Sequence, residues 1–69
     1  MSNQKKCIEI TGWLLCPITV GESAFIRERN GMRRTSRVMN MEVISQTEIW
    51  FETCNTNYHL HLASQEVAV

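Results

Sequence analysis

The last third of the chain alternates between apolar and polar side chains. In "NYHLHLA", Tyr58, Leu60 and Leu62 alternate with His59 and His61. A period of two predicts a strand with one buried face. "TEIWFETC" at 47–54 predicts a second strand, and Asn55-Thr56 a two-residue connection between them. That turn sets a register. Thr53 faces Tyr58, Phe51 faces Leu60 and Ile49 faces Leu62 on the apolar side, while Glu52 faces His59 and Trp50 faces His61 on the other.

Upstream, Asn30-Gly31 is the strongest hairpin signal. It predicts a strand near 22–29 followed by a long strand near 32–44. Arg29 then lies opposite Met32, Glu28 opposite Arg33 and Arg27 opposite Arg34. The last pair sets two like charges side by side, which is destabilising unless an anion is near. Met39, Met41 and Val43 share one face of the long strand, and Ser45-Gln46 turns the chain. A first strand is expected near 7–15, bent at Gly12 and ended by Pro17. No helical stripe is sustained. The expected fold is all-β: a five-stranded antiparallel meander, curled into a small SH3-like or Sm-like barrel or completed by dimerisation. Residues 1–69 read as a single small β domain with frayed tails at 1–6 and 64–69.

Length sharpens the picture. A chain of 69 residues forms one domain and buries only about 60% of its unfolded surface. Oligomerisation is one way such a domain gains stability, and a homo-oligomer, a dimer first, is expected. Three cysteines, Cys7, Cys16 and Cys54, cannot all pair within the chain. With no leader-like start and no long apolar run, the expectation is a cytoplasmic protein with reduced thiols and no membrane partner.

Net charge is zero, but its distribution is uneven. Residues 27–37, "RERNGMRRTSR", carry Arg27, Arg29, Arg33, Arg34 and Arg37 against Glu28 alone. Residues 38–69 contain four glutamates and no lysine or arginine. The arginine hairpin suits an anion or an acidic partner: guanidinium forks bind phosphate bidentately, and a two-stranded ribbon can enter a nucleic-acid groove. Against nucleic acid stand the neutral total charge and the scarcity of interleaved aromatics, with only Phe25 close by. Paired to Glu42, Glu48 or Glu52, the same arginines would be an ordinary solvated turn.

The second constellation is Trp50, Glu52, His59 and His61, together on the non-core face. A tryptophan there leaves apolar surface in water, which marks a contact site. His59 and His61 could share a metal ion with nearby Cys54, but no C-x-x-C or H-E-x-x-H spacing supports a structural site, and neither metal nor cofactor is expected. Cys54 with His59 is a conceivable thiol–imidazole pair without an identifiable oxyanion hole, so no enzymatic activity is expected.

The segments "RTSRV" at 34–38 and "ETCNTNYHL" at 52–60 follow the pattern R-T-S-x-V … E-T-x-N-x-x-Y-x-L. Over roughly the C-terminal half, this resembles short uncharacterised β-rich proteins of bacteria, phages and mobile elements. The resemblance implies a bacterial or phage setting, where small proteins commonly act by stoichiometric binding, including inhibition of host defence proteins. Three functions therefore stand as expectations. The first is a non-enzymatic β binding module with a bacterial protein target. The second is a small nucleic-acid binder using the arginine hairpin. The third is a sequestering protein for an anionic nucleotide.

Overall fold

A computed structural model of the protein describes residues 5–63. Within them the chain is all-β, with six strands: β1 (Lys6–Leu14), β2 (Ser23–Glu28), β3 (Gly31–Arg37), β4 (Asn40–Ser45), β5 (Glu48–Glu52) and β6 (Thr56–Leu62). None of the described residues is helical, so no helix is long and apolar enough to cross a membrane. Most of the expected tails lie outside the described residues. Lys6, however, opens β1, and the Lys5 ammonium pairs with Glu52 and donates to the Thr53 carbonyl (3.1 Å).

The strands form one open mixed sheet in the order β3-β2-β1-β6-β5-β4. This corrects the five-stranded meander. The first strand is central instead of peripheral, and it runs parallel to β6 from Lys6↔Thr56 to Gly12↔Leu62. Sequence-adjacent strands do pair antiparallel in β1–β2, β2–β3, β4–β5 and β5–β6. The expected long strand is two strands, broken at Val38-Met39. Val38 bonds backward to the β2 side (its N–H to the Glu22 carbonyl, 2.9 Å). The Met39 N–H bonds forward to Glu52 on the β5 side (2.7 Å). Two residues thus carry the chain from one edge strand, β3, to the other, β4, and the buried Val38 joins the core shared by both halves. No ladder joins β3 to β4, so the sheet is not a closed barrel.

β1 makes the matching corner at the other side. Its residues up to Gly12 pair with β6, and only Trp13 and Leu14 pair with β2. Gly12 allows the crossing: a β-carbon there would lie 2.3 Å from the Arg27 carbonyl oxygen. The two halves enclose one core. Ala24, Ile26 and Val38 come from one side, and Ile10, Ile49, Phe51, Tyr58 and Leu60 from the other. Phe51 and Tyr58 stack with ring centroids 4.7 Å apart. Thr35 is also buried and accepts the Ala24 N–H at 3.0 Å, serving a backbone donor at the irregularity between Ser23 and Phe25.

Both hairpins slip by two residues from the expected registers. Asn30 and Asn55 do not take positive φ, so the primed two-residue turns are not formed. Gly31, at φ 146°, pairs with Glu28 instead, leaving Arg29 and Asn30 as the turn. Arg34 then lies opposite Phe25, its guanidinium 5.9 Å from the ring centroid, and Arg27 lies opposite Met32. The expected arginine–arginine pair is replaced by cation–π and apolar contacts. In the last hairpin Trp50 pairs with His59 and Phe51 with Tyr58, closed by Thr53 N–H to the Thr56 carbonyl (2.9 Å). A slip of two keeps every side chain on its expected face.

Two substitutions test this architecture. Leu60→Ala, at a fully buried position in β6, is expected to cost about 2–5 kcal/mol. Gly12→Ala is expected to cost about 1–3 kcal/mol through its clash with the β2 backbone. Urea unfolding followed by circular dichroism measures both.

Candidate functional site

The outer face of β5, β6 and β1 gathers the chemistry-bearing residues. Side chains alternate along each strand, so Glu48, Trp50 and Glu52 share this face with His59 and His61. The register sets Glu42, Trp50, His59 and Glu9 in one row across β4, β5, β6 and β1. Trp50 stacks on His59 with centroids 5.2 Å apart and an interplanar angle of 15°. His59 and His61 lie 4.3 Å apart, tilted by 37°. Trp50, His59 and His61 are all half-buried. A shallow groove runs beside the indole between Asn40, Glu42, Ile44, Glu52 and Asn57.

Carboxylates frame the imidazoles. Glu48 Oε1 is 3.3 Å from His59 Nε2, and on the opposite side Glu9 Oε2 is 3.7 Å from His59 Nδ1. The other Glu9 oxygen is 3.7 Å from His61 Nε2. Glu9 was not among the residues singled out from sequence; only the parallel β1–β6 pairing brings it here. Glu48 was seen only as an arginine partner, because the slipped register, with Glu48 opposite His61, is what moves it beside His59. Cys54 is exposed in the turn before β6, with its thiol 3.4 Å from Asn55 Oδ1, and is not part of the cluster.

The arginines divide into two sets. Arg33 points to the inner face, as its cross-strand partner Ile26 does, and its guanidinium donates to Glu28. That hydrogen bond to Glu28 raises the Arg33 pKa above its ordinary value, with Tyr58 adding to the effect against partial burial. Arg33 is therefore a rim residue of the core. Arg27, Arg29, Arg34 and Arg37 are exposed. Arg27 and Arg34 share the outer face of β1–β2–β3 with Trp13, Phe25 and Met32. Trp13 was missed by the sequence reading, which placed only Phe25 near the arginines. The indole N–H of Trp13 is buried and finds no hydrogen-bond acceptor among the described residues.

The outer surface is thus an acidic, tryptophan- and histidine-bearing face on one half and a basic, aromatic face on the other. No protein-family model, curated protein or solved structure matches the chain.

The division of the arginines has a measurable consequence. Arg33→Ala is expected to lower stability by roughly 1 kcal/mol, the scale of a partly exposed ion pair. Arg29→Ala, in the exposed turn, is expected to stay within about 0.5 kcal/mol of the parent. Chemical denaturation of the two variants compares them directly.

Proposed function

We propose that the protein is a non-enzymatic β binding module that acts by stoichiometric contact with a protein partner through the outer face of β5 and β6. The observation that carries this reading is the Trp50–His59 stack, held half-exposed beside a groove and ringed by Glu9, Glu42, Glu48 and Glu52. An aromatic anchor inside a charged rim is the usual anatomy of a contact hot spot. With Glu52 already paired to Lys5, the carboxylates of Glu9, Glu42 and Glu48 favour a partner that presents lysine or arginine and disfavour a phosphate backbone. The resemblance to small bacterial and phage proteins makes a cytoplasmic bacterial target, a defence protein among them, the most concrete version.

Self-association belongs to the same proposal. β4 is an edge strand on which Val43 and Ile44 are 62% and 48% exposed, an edge that invites a second copy to extend the sheet. Val43→Lys is expected to leave a monomer by light scattering where the parent is a dimer.

A second reading is favoured by the other half. Arg27 and Arg34 interleave with Trp13 and Phe25 on one face, an arrangement that suits nucleic acid or an anionic nucleotide. A pull-down from bacterial lysate, with and without nuclease, separates the two. The first reading expects a protein captured in both samples, retained in high salt, lost with Trp50→Ala and kept with Arg27→Ala/Arg34→Ala. The second expects capture that needs nucleic acid, fails with the arginine variant and weakens steeply with salt.

A further inference from the structure

We propose that Glu9, His59 and His61 form a three-donor site for a divalent transition-metal ion, zinc first, on the outer face of β1 and β6. The proposal shares residues with the contact face but needs no partner, so the two stand or fall separately.

His59 and His61 are two apart on one strand and project to the same side. The parallel register sets Glu9 opposite His59, and its carboxylate bridges the two rings. Each oxygen lies 3.7 Å from a different imidazole nitrogen, His59 Nδ1 and His61 Nε2. One donor atom from each of the three residues fits within 4.8 Å of the others. A distance of 3.7 Å is too long for a hydrogen bond. It is close to the separation of about 3.3–3.4 Å between ligands of a tetrahedral ion with bonds of about 2.0–2.1 Å. The three groups are therefore poorly placed to bond one another; their donor atoms lie within 4.8 Å of one another, so closure of up to about 1.5 Å, within reach of side-chain rotation, would let them share an ion.

The surroundings support the assignment. His59 Nε2 faces Glu48 Oε1 at 3.3 Å, leaving Nδ1 directed at Glu9. A metal-bound imidazole commonly donates the N–H of its second ring nitrogen to a carboxylate, which fixes the tautomer and raises the basicity of the ligating nitrogen. Trp50 stacks on the same ring and restrains its rotation. Two nitrogens and one oxygen suit Zn²⁺, Cu²⁺ or Ni²⁺ over Ca²⁺ or Mg²⁺, which prefer all-oxygen ligation. The side chain of Glu9 is 73% exposed, so the remaining positions of the ion open to solvent and would be filled by water or by a partner's donor.

The test is calorimetric titration of the full chain with zinc, with Cys7, Cys16 and Cys54 replaced by serine to remove thiol binding. One equivalent per chain is expected. His59→Ala and His61→Ala should each abolish saturable binding, and Glu9→Gln should weaken it on the order of 10–100-fold. In the unsubstituted, reduced protein, the ring resonances of His59 and His61 should shift together on adding one equivalent of zinc. Absence of binding in both forms, or binding unchanged in the His59→Ala/His61→Ala double variant, would overturn the proposal. So would zinc-induced shifts that spare these two rings.

Discussion

The parallel pairing of β1 with β6 is the constraint on which everything else depends. Seven cross-strand partners, from Lys6↔Thr56 to Gly12↔Leu62, join the two ends of the described chain. This closes a loop of about fifty residues, whose entropy must be offset by what the pairing buries; loop-closure cost grows only slowly with length, so the exchange is feasible. Ile10 and Leu60 meet at the centre, and β6 becomes an interior strand flanked on both sides. Without this pairing the molecule would be two separate three-stranded pieces joined by one corner.

The two corners follow from it. A strand that pairs with β6 and then with β2 must bend, and Gly12 is the residue at which the Arg27 carbonyl approaches too closely for any side chain. The chain crosses back at Val38-Met39, where a fully buried valine fills the space between the two halves. β3 and β4 lie at opposite ends of the strand order and do not pair, so β4 remains an open edge. The outward-facing residues then sort by charge, with glutamates around Trp50 and the histidines on one half and arginines around Trp13 and Phe25 on the other. A neutral protein is in this way strongly bipolar at its surface.

The all-β class and the faces were legible in the sequence; the neighbours were not. Strict alternation in 49–52 and 58–62 assigns Ile49, Phe51, Tyr58 and Leu60 to the core and Trp50, His59 and His61 to the outside. Because the hairpin slips by two residues, that assignment survives the wrong register. Turn chemistry misled at Asn30-Gly31 and Asn55-Thr56, where asparagine favours positive φ in principle and the chain does not use it. The break at Val38-Met39 carries no glycine or proline, so nothing local separates β3 from β4. Glu9 lies fifty residues from His59, and no local pattern reports a parallel pairing over that separation. The pairing of Arg33 with Glu28 was within reach of the expected hairpin register, but its place beside Tyr58 was not, because Tyr58 belongs to a strand about twenty-five residues away.

The most direct measurement is the pattern of nuclear Overhauser effects between β1 and β6 in solution. Backbone contacts from residues 6–12 to residues 56–62 in parallel register, with Ile10 beside Leu60 and side-chain contacts from Glu9 to the His59 ring, are the predicted result. Contacts from residues 56–62 to residues 48–52 alone, with residues 6–12 bound only to β2 or to nothing, would contradict it.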